Sequence, residues 1–208
     1  MENIIERMEM QLRLQFPDVL ENLNPPATLE QIAVFERAIG QKIPEDIRKI
    51  YLWHDGCISA EANIGLEESE KRYLLIDTCR WCGLDEMLAE WEIQQTYHQG
   101  QDYFFTQEED AESWRNAAVL PWITPPVSWL PMGRRWWDLW IYLDLCPGNK
   151  GFFGQIIRRW GQGGDKYVAV NIRAYFSTFA EGLEAKRIRY DSENHVWVDK
   201  KYDKEVEC

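Results

Sequence analysis

The strongest hint of chemistry is Cys79-Arg80-Trp81-Cys82, two thiols separated by two residues. They lie between a predicted strand at 73–77 and a predicted helix at 83–97, a context in which a helix N-terminus lowers a thiol pKa for disulfide exchange. A thioredoxin-like fold would also need βαβ units and a parallel sheet, and the C-terminal half reads instead as hairpins. Two readings stand: a thiol oxidoreductase centred on Cys79 and Cys82, or two ordinary buried thiols. A zinc site would need two further ligands, and Cys57, Cys146, Cys208, His54 and His98 fall at no ligand-like spacing. Gly161-Gln162-Gly163-Gly164 lacks the Lys-Ser/Thr of a phosphate loop and opens no helix, so it reads as a β-turn. None of the three His sits beside a nucleophile motif, so no triad is nominated. The sequence therefore predicts no catalytic residue, metal or cofactor.

Charge is the next signal. The 208 residues carry 23 Lys and Arg against 35 Asp and Glu, a net charge of -12, and Asp102, Glu108, Glu109, Asp110 and Glu112 follow one another with no intervening base. Such a field repels a phosphate backbone and an anionic membrane surface, which argues against nucleic-acid or membrane partners. The acidic stretch has two readings, a solvated face and a rim that steers a basic partner. The N-terminus carries Glu2, Glu6 and Glu9 where a secretory signal would be basic and then apolar, and five unpatterned Cys fit a reducing compartment, so the expected location is cytoplasmic. Eleven Trp, nine Tyr and eight Phe supply core area, yet not all can hide their polar atoms, so some rings are expected at a partner surface.

The elements that must position these groups follow from periodicity. Ile4, Ile5, Met8, Leu12 and Phe16 share one helical face that ends at Pro17. Thr28 and Gln31 form a capping box ahead of Leu29, Ile32, Phe35 and Ile39, and Gly40 stops that helix. Pro44 at a first helical position, with Glu45 and Asp46, opens a third helix that ends near His54 and Gly56. Leu84, Leu88 and Trp91 mark the helix at 83–97. Segments 139–145, 154–160 and 167–170 read as antiparallel strands, Phe176, Phe179 and Leu183 as a helix, and 188–190 with 195–198 as a closing hairpin before a loose tail. Trp91, on the apolar stripe, and Trp160, ending a buried strand, are expected to be core rings. Helices, then hairpins, then a helix is an α+β order.

The segment PPATLEQIAVFERAIGQKIPEDIRKIYLWHDG resembles the opening motif of the SUKH superfamily, through Glu36, Gly40, Ile43-Pro44-Glu45-Asp46 and Asp55-Gly56. That superfamily takes in fungal cell-wall assembly regulators of the Smi and Knr type and many bacterial immunity proteins. GLDEMLAEW is similar to its next helix, and WLPMG with IYLDLCPGNKGFFGQIIRRW to its central sheet, matching at Trp129, Pro131, Asp144, Pro147, Gly148, Gly154, Gln155 and Trp160. FSTFAEGL resembles the closing helix, with Ala180 where the family usually has Leu. Arg134, Arg135, Trp136 and Trp137 stand where the family has a Gly- and Asp-rich turn, so they are candidate partner-binding residues beside Glu108, Glu109, Asp110 and Glu112.

The resemblance implies a single α+β domain with a bent antiparallel sheet flanked by helices, no catalytic residues, and protein binding as the function. The expected layout is an amphipathic helix over 1–24, the SUKH-like unit over 25–185, and a hairpin and tail over 186–208. The expected role is an immunity protein that neutralises a cognate protein toxin, with a fungal-type regulatory scaffold as the alternative.

Overall fold

In a computed structural model of the chain, residues 1–58, 79–97, 119, 127–135, 139–160, 166–191 and 196–200 are described. The strand expected at 73–77, the acidic stretch, Trp136, Trp137, the turn at 161–165 and the tail beyond 200 lie outside them.

Helix α1 (Glu2–Gln15) buries Ile5, Met8 and Leu12 and gives way at Phe16 to a short helix that the periodicity did not predict, α2 (Pro17–Glu21). Proline at its first position explains the restart, since its missing N–H needs no partner there. In α3 (Leu29–Ala38) the capping box forms as expected: the Gln31 amide donates to the Thr28 hydroxyl at 3.1 Å, and the Thr28 amide to Gln31 Oε1 at 2.8 Å. Ile32 and Phe35 face the core, whereas Leu29, in the first turn, is exposed. α4 (Glu45–Trp53) starts one residue later than expected, with Pro44 as its cap.

α5 (Leu84–Tyr97) follows a two-residue strand, β1 (Arg80–Trp81). Beyond it, β2 (Trp129–Arg135), β3 (Leu139–Asp144), β4 (Gln155–Trp160) and β5 (Lys166–Ala169) form one antiparallel sheet with β1, in chain order. α6 (Ile172–Glu184) is capped by Asn171, whose side chain accepts from the Ala174 amide at 2.9 Å. β6 (Ile188–Asp191) and β7 (Val196–Asp199) close as a separate hairpin. The α+β architecture is as expected, and β1 and β2 are additions to what periodicity predicted. β2 contains Pro131 and Gly133, which break a strand pattern, and the chain accommodates them with a register shift between those two residues.

Strand parity divides the sheet. Leu130, Leu139, Ile141, Leu143 and Ile156 pack with the helices into the main core. Trp129, Tyr142 and Ile157 form a second cluster with Val119 on the other face. Trp91 is half-buried against the main core and donates its indole N–H to the Val127 carbonyl at 2.7 Å. Trp160 is not the core ring its place in the strand suggested, being 38% exposed. It sits at the end of the row Arg135, Leu139, Trp160, beside the buried Leu139, with the Arg135 and Arg158 guanidinium groups near the ring.

α1 also holds α6 electrostatically: Arg7 donates to both carboxylate oxygens of Glu184, at 2.7 and 2.6 Å, and this pulls the Glu184 pKa below its ordinary value. A lowered folded-state pKa gives stability that is present above the unfolded pKa and lost as pH falls through the folded one. In urea unfolding, the stability advantage of the parent over Glu184→Gln should hold at neutral pH and shrink below about pH 4. Trp129→Ala, at a ring with no exposed surface, should lose about 3 to 5 kcal/mol. Trp160→Ala should lose only about 1 kcal/mol, and equal losses would show that Trp160 is as buried as Trp129.

Candidate functional site

The polar residues that carry the resemblance are spent on backbone amides. Glu36 points inward from α3, where Oε1 accepts from the Ile43 amide at 3.2 Å and Oε2 from Lys42 Nζ at 2.6 Å, with Arg48 at 3.9 Å. It thereby ties the α3–α4 connection to α3. Asp55, just past α4, accepts from the Leu84 amide at 2.8 Å and caps the start of α5 from across the molecule. Gly56, at φ +72°, lies so close that a Cβ there would stand 2.4 Å from the Gly83 nitrogen, so only glycine fits. Burial raises the Asp55 pKa, with the Leu84 amide pulling it back.

Asp144 and Gln155 are register partners at the ends of β3 and β4, and neither has exposed surface. Asp144 accepts from Gln155 Nε2 at 2.7 Å and from the Cys146 amide at 2.9 Å, and Gln155 Oε1 accepts from the Phe152 amide at 3.2 Å. Gly154, at φ +79°, donates to the Asp144 carbonyl at 2.8 Å and lies against Pro44. Burial is the main influence on the Asp144 carboxyl and raises its pKa.

What remains for a partner lies at the other end of the sheet. The Arg134 guanidinium lies 5.9 Å from the Trp140 ring centre, and Arg135 and Arg158 lie 5.6 and 5.7 Å from that of Trp160; the buried Arg159 instead lies 5.9 Å from the centre of the buried Trp129 ring, which starts β2 opposite Asp144. Glu86 and Glu90 on α5 face this group: Arg134 pairs with both, and Glu86 also pairs with Arg80. Of the predicted partner-binding residues, Arg134 and Arg135 are therefore placed at this arginine and indole end. Trp136, Trp137, Glu108, Glu109, Asp110 and Glu112 lie outside the described residues. Trp140, Arg158 and Arg159 were not singled out from the sequence. Their signal was strand parity across the paired runs 139–145 and 154–160, which sets Trp140 beside Arg159.

Cys79 and Cys82 flank β1 and both are buried. Cys79 Sγ faces the Leu139 carbonyl at 3.9 Å, and burial pushes the Cys82 thiol well above its ordinary pKa, the opposite of what disulfide exchange needs. The Cys82 carbonyl accepts from the Tyr51 hydroxyl at 3.0 Å, so this segment is part of the packing. His54 ends α4, and its Nδ1 lies 2.6 Å from the Asn24 carbonyl oxygen. Among the described residues no group of three or more His, Cys, Asp or Glu is placed to hold a metal, and no helix is long and apolar enough to cross a membrane.

A family model described as SMI1 / KNR4 family (SUKH-1) matches residues 26–185. The chain belongs to this family. Among curated proteins, a glucan synthesis regulatory protein of Neurospora crassa is 25% identical over 220 aligned residues, which take in 91% of this chain and 40% of the fungal protein. The chain thus spans well under half the length of that relative. The SUKH-1 match begins after α1 and α2 and ends just past α6, so it contains Glu36, Asp55, Asp144 and Gln155 together with the arginine and indole end.

Asp144→Asn tests the polar frame. An asparagine must turn its NH2 toward either the Cys146 amide or Gln155 Nε2, and Gln155 cannot flip to compensate without abandoning the Phe152 amide. The variant should lose about 1 to 3 kcal/mol at neutral pH in urea unfolding. A raised folded-state pKa gives stability that is lost as pH rises through it, so the advantage of the parent should shrink from about pH 4 upward. A variant as stable as the parent would show that the pair does not hold the turn.

Proposed function

We propose that this SUKH-1 chain is a non-catalytic protein-binding module. One observation carries the reading: Glu36, Asp55, Asp144 and Gln155, which elsewhere in a fold would be candidates for acid–base work, are each committed to a backbone amide. What faces outward instead, at the far end of the sheet, is the exposed Trp160 ring with the half-buried Arg135 and Arg158 beside it, side-chain types enriched at protein interfaces.

The role proposed first is neutralisation of a cognate protein toxin. Arg134, Arg135, Trp136 and Trp137 would serve as anchors, and Glu108, Glu109, Asp110 and Glu112 as a rim that attracts a basic, nuclease-type partner. A charge of -12 favours that partner, because an acidic inhibitor is drawn to the surface that attracts phosphate. The similarity of 91% of the chain to part of a fungal glucan synthesis regulatory protein favours a second reading, a regulatory scaffold.

The purified chain, mixed with a cognate basic, nuclease-type toxin domain, should form a one-to-one complex and abolish the toxin's activity. Failure of both, together with restored glucan synthesis in a Neurospora crassa strain lacking its regulator, would favour the scaffold. In the toxin complex, replacing Glu108, Glu109, Asp110 and Glu112 with their neutral amides should slow association more than it speeds dissociation. Raised salt should mimic the substitutions, since the Debye length is only about 8 Å at 0.15 M. An association rate indifferent to both would leave the acidic stretch a solubilising face.

A further inference from the structure

The connection between β3 and β4 is longer than joining them requires. Antiparallel neighbours are usually linked by about two to five residues, and here residues 145–154 intervene. The loop is also fixed. Gly151 donates to the Gly148 carbonyl at 2.8 Å, the Gln155 amide to the Phe152 carbonyl at 2.9 Å, and Gly154 to the Asp144 carbonyl at 2.8 Å. Asp144 and Gln155 grip the Cys146 and Phe152 amides from inside, at the expense of a carboxylate kept out of water. On this rigid base Phe152 and Phe153 stand 56% and 58% exposed.

Two adjacent phenyl rings held in water on an ordered loop contribute little to the fold. They match the anchors that carry most binding energy at protein interfaces, where pre-ordering removes the entropy that binding would otherwise cost. The charge pattern selects the occupant. Residues 145–154 contain one charged side chain, the exposed Lys150, and no carboxylate, in a chain whose net charge is -12. The loop is therefore a locally cationic, apolar tip on an acidic molecule. An anionic bilayer would be repelled by the rest of the protein, whereas a protein pocket reaches the tip alone.

We infer that Phe152 and Phe153 form a second, preformed docking point, separate from the arginine and indole end, which inserts into an apolar pocket of a partner protein rimmed by a carboxylate within reach of Lys150. This inference rests on the reading of the chain as a protein-binding module and names one surface that does the binding.

The full-length chain carrying a photo-crosslinking phenylalanine analogue at position 153 would be expressed in its native host, with the same analogue at Leu14 and at Trp160 as controls. Leu14 is 73% exposed on α1. The protein crosslinked from position 153 but not from position 14 would be identified and purified. Its affinity would then be measured by titration against the parent, Lys150→Glu and the double variant Phe152→Ser with Phe153→Ser. The double variant should melt with the parent and bind at least about thirtyfold more weakly, and Lys150→Glu about fivefold more weakly. Three results would overturn the inference: no crosslink above the Leu14 control, undiminished affinity of the double variant, or phenyl-dependent binding of the parent to vesicles of neutral phosphatidylcholine. A partner captured from position 160 alone would overturn this docking point while leaving the protein-binding reading in place. Capture from none of the three positions would count against both.

Discussion

A carboxylate taken wholly out of water must be given donors, and the way Asp144 obtains them governs the middle of this molecule. Its two oxygens take the Cys146 amide and Gln155 Nε2. That choice fixes where β3 stops, aligns β4 beside it, and turns Gln155 so that its own oxygen is free to hold the Phe152 amide. A slip of one residue in the β3–β4 register would break the Gln155–Asp144 bond and would send Ile156 to the face opposite Leu143. The desolvation that raises the Asp144 pKa is the counterweight: the frame is stabilising only while each donor is in place.

The same economy repeats at two other junctions. Glu36 closes the α3–α4 connection, and Asp55 caps α5 from the end of α4, where Gly56 and Gly83 approach too closely for any side chain. All three carboxylates sit where the chain changes direction, so they accept the backbone donors that helices and strands leave unpaired at their ends. The surface inherits what is left. Arginines gather on indole rings at the β2 and β4 ends of the sheet, and two phenyl rings stand on the loop held by Asp144 and Gln155.

Much of this was legible in the sequence because the signals were local. The Thr28 and Gln31 box, the helix around Leu84 and Trp91, the paired runs at 139–145 and 154–160 and the α+β order depend on spacing along the chain, and each took the expected form. What was missed depended on context. β2 was hidden from periodicity by Pro131 and Gly133, though the resemblance of WLPMG places it in the central sheet, and β1 is too short to show a period. Trp160 reads as a core residue by type and parity, yet at the last position of its strand it stands 38% exposed while its neighbour Leu139 is buried. The Cys79 and Cys82 pair resembled a redox motif because spacing carries no information about burial, and burial is what raises the Cys82 pKa. Resemblance identified Asp144 and Gln155 as matching positions, while their task, holding a loop and its exposed rings, needed the geometry.

Buried polar residues hold the loop between β3 and β4 as firmly as the sheet itself. Native-state amide hydrogen exchange on the parent reads this directly, because an amide exchanges only as fast as its hydrogen bond opens. The Cys146 and Phe152 amides, held by Asp144 and Gln155, and the Gly154 amide, held by the Asp144 carbonyl, should exchange as slowly as those of Ile141 and Ile157 in the sheet. Free exchange at Cys146, Phe152 and Gly154 beside protected Ile141 and Ile157 would mean an ordinary mobile loop that Asp144 and Gln155 do not hold.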